Sequence, residues 1–470
     1  MLVGFRLFYH AKKAIFKMKS QYLKKKFFNR TLLNAFSALF NSFLIYITSV
    51  LNVSIVSAQI PQFCASDVHS VEFRHANLTD RSSSSVPQLV VCHLSIPEIL
   101  SLDFDIINRE QLQLAYSFAH FNADWSPSDL MEMEFVSGFN KVYGSETVSL
   151  SFNTLTPYAH YHLDISTAPL LVSGNYMLQI RTVDDDALIL SLPLWVSEDV
   201  CGIQSRILQQ DGTQTVQFSV IWPNHGILNP EQELHISVWQ NKRLDDIRQA
   251  SSPTFIRPDE IVYLTAPELT FCPGAEWRWL DTRSVKYVTM KNAHIQYIDP
   301  FYHFTLPTDL PNRAYTFRED FNGGQWFENK DRHIEDPTIA AEYVMAHLSF
   351  LPTDPNMLST HNIYVIGDAA GWEPSSQNLL SPDYETGLFQ GQLIVKQGLH
   401  NYQYVATPQS PKSQHSHIAH PTFAETEGCF IETENDYFIA VYARCPGQTY
   451  DHLLSLKIHN TLKTPDSFIK

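Results

Sequence analysis

The sequence predicts an all-β protein of two or three consecutive immunoglobulin-like β-sandwiches behind a cleaved leader. Three observations predict it. Short runs with an apolar residue at every second position recur from Leu112 to Val441, the period of a strand with one wet face. Turn-forming stretches such as Ser173-Gly174-Asn175 and Asn322-Gly323-Gly324 separate them, as where antiparallel strands reverse. Sustained apolar spacing at the helical period is missing, and the part after the leader is too long for one small core.

Residues 1–58 are read apart from the fold, as a signal peptide. They hold nine basic residues (Arg6, Lys12, Lys13, Lys17, Lys19, Lys24, Lys25, Lys26 and Arg30) and no acid, and no charge occurs from Thr31 to Ser66. Val56-Ser57-Ala58 before Gln59 places small residues at −3 and −1 of a cleavage point. Met18 is an alternative start that gives a more ordinary leader. An uncleaved anchor competes, because the apolar run approaches the ~20 residues of a spanning helix; its many Ser and Asn residues and its Ser-x-Ala ending favour cleavage. Gln62-Phe63 before Cys64 is not a lipobox. Removing the leader's nine positive charges takes the formal charge from −16 to −25. Such an acidic surface is repelled by nucleic-acid phosphate and anionic headgroups, which argues against both as partners. The mature form has no further stretch apolar enough to span a membrane.

The first sandwich is expected over 59–198. There Leu112, Leu114, Tyr116 and Phe118 alternate with small or polar residues, as do Val148, Leu150 and Phe152, and then Tyr176, Leu178 and Ile180 after the Ser173-Gly174-Asn175 turn. Residues 196–202 read as the link to a second sandwich over 199–300. Val216, Phe218 and Val220 repeat the pattern. Asn229-Pro230 marks a turn, because proline pushes the residue before it out of the helical region. Leu234, Ile236 and Val238 then alternate with His235, Ser237 and Trp239, and Gln240-Asn241 closes the strand. Residues 245–249 offer one helical turn at most; 263–279 and 287–297 complete the unit.

A third sandwich is expected over 301–470. Phe304, Leu306 and Tyr315-Thr316-Phe317 lead into the turn Asp320-Phe321-Asn322-Gly323-Gly324. Val344, Ala346, Leu348 and Phe350 form one strand face, with Tyr343, Met345 and His347 on the other. Ile363 to Gly367 reads as a buried strand. Tyr402 and Tyr404 flank Gln403 in another, and Ile439 and Val441 flank Ala440 in a third. Residues 406–421 are polar and rich in Pro, Ser and His, as in a surface loop.

Chemistry-bearing patterns are sparse. Cys64, Cys92, Cys201, Cys272, Cys429 and Cys445 are scattered without a CxxC pair, so no zinc site and no disulfide connectivity is assigned. His415, His417 and His420 lack acidic or thiol partners nearby, and a structural metal needs about four fixed ligands. Asp184-Asp185-Asp186 lacks the spaced ligands and glycine of a calcium loop and reads as a hairpin turn. GxSxG, HExxH, Walker and Rossmann patterns do not occur. No catalytic residue, metal or cofactor is therefore expected, although a glycosidase-like carboxylate pair needs only nearness in space. Residues 363–372 followed by Gly398-Leu399-His400-Asn401-Tyr402-Gln403-Tyr404 are similar to the early-set sandwiches fused to starch- and glycogen-active enzymes. That makes carbohydrate binding, or a glycan-active accessory module, through Trp372, Tyr402 and Tyr404 the alternative function. Core packing of the same aromatics is the plainer reading.

A second resemblance decides the reading. His120-Phe121-Asn122-Ala123-Asp124-Trp125-Ser126-Pro127, Gly138-Phe139, Tyr158-Ala159-His160-Tyr161 and Ser173-Gly174-Asn175-Tyr176 look like the amino-terminal domain of the type IX secretion system plug proteins of Bacteroidota. Trp239-Gln240-Asn241-Lys242-Arg243, Asp320-Phe321-Asn322-Gly323, Glu427-Gly428, Asn435-Asp436-Tyr437, Val441-Tyr442-Ala443-Arg444, Pro446-Gly447 and Asp451 continue the resemblance in the family's order, over about 67–459. Phe121 stands where the family usually has a cysteine, Leu244 lacks a nearby aromatic, and the 406–421 loop and the long leader are atypical. The resemblance implies a non-enzymatic periplasmic protein, associated with the outer membrane. It closes the periplasmic end of the outer-membrane β-barrel translocon when no substrate occupies it. Catalytic, cofactor and metal residues are then none. The family-motif residues to locate are Asn122, Trp125, Pro127, Gly174, Asn175, Tyr176, Gln240, Asn241, Asn322, Gly323, Gly428, Tyr437, Arg444 and Asp451.

Overall fold

Sheets carry the architecture: strand makes up 49% and helix 6% of the computed structural model. Residues 60, 62–76, 89–107, 111–222, 226–289, 294–332, 336–409 and 421–462 are described. The expected leader, the three loop histidines and most of the 406–421 loop fall outside them. Ala58–Lys470 form one compact unit.

The first sandwich follows the alternation in the sequence. One sheet runs in the order Phe63–Cys64, Leu188–Ser197, Gly174–Thr182, Leu114–Phe121, Val142–Tyr143, with Val91–His93 parallel to Leu188–Ser197. The facing sheet runs Val68–His75, Ile99–Ile107, Tyr158–Ser166, Glu146–Leu150. Leu100, Leu102, Phe104 and Ile106 point inward at every second position and meet Tyr116, Phe118, Leu178 and Ile180 from the opposite sheet. Phe104 stacks on Tyr161 at 5.3 Å. The three aspartates stand where Gly174–Thr182 turns back into Leu188–Ser197, with Asp186 at φ 56°, so they form the expected hairpin turn.

The second sandwich does not follow chain order. One of its sheets is Gly202–Gln210, Thr213–Ile221, Glu260–Tyr263, Phe255–Arg257, with Thr270–Phe271 beside Thr213–Ile221. The other is Arg248–Gln249, Leu234–Gln240, Asp436–Ala443, His452–Asn460. The last two strands, grouped by sequence with 301–470, thus pair with Leu234–Gln240, from Leu234↔Ala443 to Gln240↔Tyr437. Every residue of Asp436–Ala443 is buried. Tyr437, Ile439, Val441 and Ala443 face the core of the second sandwich, while Phe438, Ala440 and Tyr442 face the first. A strand wanted on both faces takes the central place, and alternation alone does not say which neighbour it pairs with. The expected turn at 245–249 is a 3-10 turn at Leu244–Asp246 running into Arg248–Gln249.

The third unit is a nine-stranded sheet ordered Arg278–Asp281, Gly398–Pro408, His361–Ile366, Leu379–Asp383, Leu388–Lys396, Tyr343–Phe350, Phe301–Thr305, His294–Ile298, with Gln325–Phe327 beside Gly398–Pro408. Arg278–Asp281 and His294–Ile298 fall in stretches that the sequence assigned to the second unit. Tyr315-Thr316-Phe317 is not a strand. Leu280, Tyr402 and Tyr404 near one end of the strand order share a core with Phe304 and Val344 near the other, so the sheet curls over itself. Cys272 and Cys429 form a disulfide; Cys64, Cys92, Cys201 and Cys445 carry free thiols.

Candidate functional site

The motif residues do not gather in one cavity. They stand at joints. Leu114–Phe121 ends in a tight turn in which Asn122 N–H donates to Ser126 O at 2.9 Å and Phe121 bridges to Pro127. Trp125, at φ 62°, is thereby swung onto Trp195 at 5.4 Å. Trp195 stacks on Trp239 at 5.5 Å, and Trp239 on Phe438 at 5.2 Å. This aromatic ladder leads from the first sandwich into the central strand, and stacked pairs of this kind add about 0.5–1.5 kcal/mol each beyond area burial.

A polar network edges the ladder. Ala123 N–H donates to Asp451 Oδ2 at 2.9 Å, and the Arg444 guanidinium lies 2.8 Å from Asp451 Oδ1. Arg444 Nη2 donates to Asn122 Oδ1 at 2.6 Å, Asn175 Nδ2 to Asn122 O at 2.9 Å, and Tyr442 Oη to Asn175 Oδ1 at 2.7 Å. Gly174 lies at φ 139°, where a Cβ would sit 2.5 Å from His120 Nε2 and 3.4 Å from Asp451 O. Tyr176 presents its edge to the same imidazole at 4.9 Å and donates to Val172 O. Burial pushes His120 down to about 4, against the pull of the Ser173 carbonyl, so the ring packs there as a neutral group.

The second joint is built on Asn241, one of the few residue types that tolerate φ 53°. Its N–H donates to Asp436 O at 2.7 Å, its Oδ1 accepts from Asp436 N–H at 2.9 Å, and its Nδ2 donates to Asn435 Oδ1 at 2.9 Å. Gln240 Nε2 donates to Pro273 O at 3.3 Å, and Tyr437 Oη to Gln214 Oε1 at 2.8 Å. Gly428, at φ 87°, lies next to Cys429 of the disulfide. Its neighbour Glu427 is fully buried, and accepts from Arg278 Nε and from Tyr404 N–H, both at 2.9 Å. Arg278 also pairs with Asp309 at 2.9 Å. Burial alone would lower the arginine's pKa; Glu427 and Asp309 more than reverse this and raise it.

These contacts correct the carbohydrate alternative. Tyr402 and Tyr404 are 5% and 0% exposed and both donate to Asp309 Oδ2 at 2.8 Å. Trp372 is half-buried against Trp277 at 5.2 Å and donates to Asp368 Oδ1. The trio is core and joint rather than a groove.

At the third joint Asn322 and Gly323 turn at φ 50° and 86°. A Cβ on Gly323 would meet the Trp372 ring at 2.4 Å and the Trp277 ring at 2.7 Å. Asp320 accepts from Trp277 N–H and Asn322 N–H, both at 2.8 Å, and burial pushes it up to about 6. Glu276 nearby accepts from Tyr315 Oη at 2.6 Å and is pushed up to about 7, again by burial.

One seam draws on His160 of the Tyr158-Ala159-His160-Tyr161 stretch rather than on the motif residues singled out above. Lys396 Nζ lies 2.6 Å from Asp105 Oδ2 with both side chains 1% exposed, and joins the third unit to the outer face of the first sandwich. Tyr343 Oη donates to the same oxygen at 2.6 Å, His160 Nδ1 lies 2.7 Å from Oδ1, and Lys396 also donates to Thr338 O. Burial raises Asp105, but Lys396 and His160 overcome it and hold the carboxylate below its ordinary range. A cavity of about 30 Å³ beside it is lined by Ser70, Glu72, Asp103, His160 and Phe327. No local spacing announces residues so far apart in the chain. Tyr343, a large aromatic on the strand face opposite Val344, Ala346, Leu348 and Phe350, and His160 of the resemblance are the signals the sequence offers.

Residues 68–198 match the family model described as the type 9 secretion system plug protein 1st domain. A crystal structure of a hypothetical protein from Parabacteroides merdae ATCC 43184 is similar at a TM-score of 0.74 and 25% identity, over 84% of this chain and 98% of that one. No curated protein matches. Among the described residues, no helix is long and apolar enough to cross a membrane. Residues 68–198, which carry Asn122, Trp125, Pro127, Gly174, Asn175 and Tyr176, are therefore similar to the first domain of type 9 secretion system plug proteins.

Proposed function

We propose that the protein is a periplasmic, non-enzymatic plug that closes the periplasmic end of the outer-membrane type IX translocon when no substrate occupies it. The observation that carries this reading is how the motif residues are used. In a protein whose first sandwich is a plug-family domain, they fix the first sandwich to the second and brace turns within the second and third units rather than line a reactive pocket. A wide aqueous barrel leaks unless something rigid fills its mouth, and a body with its joints fixed by buried hydrogen bonds and a disulfide resists deformation there. The strong negative charge suits docking on basic edges of the β-barrel, since complementary potentials steer encounter and fix register. Export by the leader, with cleavage after Ala58, would deliver the chain to the periplasm beside the outer membrane.

The test is entry of a bulky dye or antibiotic that the outer membrane excludes. Cells lacking the plug admit it, and cells lacking both plug and barrel do not, while substrate export continues. Equal entry with and without the barrel, or no rise at all, overturns the reading.

A further inference from the structure

We propose that His75, Cys92 and Glu98 form a binding site for a zinc-like divalent cation at one end of the first sandwich. The three come from separate segments. His75 ends Val68–His75, Cys92 is the middle residue of Val91–His93, and Glu98 directly precedes Ile99–Ile107. Their donor atoms all lie within 4.8 Å of one another, with His75 Nδ1 2.7 Å from Glu98 Oε2.

Backbone pairing holds each of the three in place. Cys92 stands opposite Val196 in the parallel pair with Leu188–Ser197. Glu98 exchanges bonds with Thr167, its N–H donating to Oγ1 at 2.9 Å and its carbonyl accepting from Thr167 N–H at 3.0 Å. His75 stands opposite Leu100, and Ala76 N–H donates to Ile99 O at 3.0 Å. The ligand atoms are thus pre-positioned by strands, and only side-chain torsions remain to be set.

Zinc bonded at roughly 2.0–2.3 Å in a tetrahedron places its ligand atoms roughly 3.5 Å apart. The imidazole and carboxylate must part by about an ångström and the thiol must close by about as much, within reach of χ rotations on a fixed backbone. A mixed sulfur, nitrogen and oxygen set suits a borderline-soft ion and argues against calcium or magnesium, which take oxygen. His75 and Glu98 are 22% and 23% exposed, so a fourth position open to water remains, whereas Cys92 is 1% exposed and faces the core. Burial, with Glu98 beside it, pushes the metal-free thiol up to about 12. The bound ion would staple an edge strand to two others. The inference stands independently of the plug reading.

The experiment uses protein purified from its own cells, stripped with a chelator and titrated with Zn²⁺ and with Co²⁺. One equivalent of Zn²⁺ should bind and raise the unfolding midpoint, and Co²⁺ should give the thiolate-to-metal charge-transfer absorption. Cys92→Ser should abolish that absorption and weaken Zn²⁺ binding at least about tenfold, as losses of metal contacts do. His75→Gln should weaken Zn²⁺ binding alike. A variant with His415, His417 and His420 all changed to Ala should keep both signals. Absence of the absorption in the unaltered protein overturns the proposal even if Cys92→Ser fails to fold. Zn²⁺ binding that survives Cys92→Ser, or that disappears with the three loop histidines, overturns it too.

Discussion

At the scale of single residues, buried charge is what makes the seams exacting. Removing one partner of a buried ion pair leaves the other uncompensated, at a cost of about 3–5 kcal/mol. Lys396→Met should therefore lower stability by about that much in urea titration, because Asp105 stays 1% exposed. Asp105→Asn added to Lys396→Met should restore part of the loss; a single substitution without effect would contradict the geometry. The third joint titrates in the opposite sense to an ordinary carboxylate pair. Glu276 is raised by burial from 4.5 to about 7, so the folded protein holds its proton more tightly than the unfolded chain does. Its contribution to stability is then complete at low pH and is lost as pH rises from about 4.5 to about 7. Asp320 acts alike over a lower window, from 3.8 to about 6. Buried neutral His120 works in the opposite direction as pH rises from about 4, so the readout is the difference between variants: Glu276→Gln should lose less stability than the unaltered protein between pH 5 and pH 7.5. A Glu276→Gln variant whose pH profile runs parallel to that of the unaltered protein would refute the assignment.

At the scale of elements, the faces of strands were legible and their neighbours were not. Leu234, Ile236 and Val238 announce a strand by their period, and Leu234–Gln240 is one. Ile439 and Val441 do the same, yet nothing local tells that Asp436–Ala443 lies against Leu234–Gln240 rather than in the sheet its position in the chain suggested. Pairing is decided by which apolar faces fit together over long sequence separations. Of the joints, Asn322 and Gly323 were legible as a turn and Asn241 as the end of a strand, because their chemistry is local. Lys396 and Asp105 were not, because their meaning lies in each other. Ala440 illustrates the two-faced strand: it is fully buried and packs with Trp239 and Tyr442 between the first and second sandwiches. Ala440→Leu should overpack that seam and destabilise by about 1–3 kcal/mol. Limited proteolysis near 198–202 should quicken with it; unchanged cleavage there would mean the seam yields freely.

At the scale of the whole molecule, three sandwiches are closed by a chain that returns to its own middle. A protein shortened before Asp436 lacks both strands that complete the sheet of Leu234–Gln240 and one wall of the core around Phe218 and Val220. Such a chain should retain a protected first sandwich and show rapid amide exchange over 202–271. Protection of both regions would refute the dependence. The return of the chain also sets an order in time. Synthesis proceeds from the amino end, and domains generally fold as they become available. All strands of the first sandwich exist by Ser197, whereas Leu234–Gln240 waits with one edge unpaired until roughly two hundred further residues have been made. An unpaired edge of that kind is a template for pairing with other chains. Until its last strands arrive, the nascent protein is therefore a client for whatever shields strand edges in its compartment, and a shortfall of such shielding should leave aggregates nucleated at the middle sandwich.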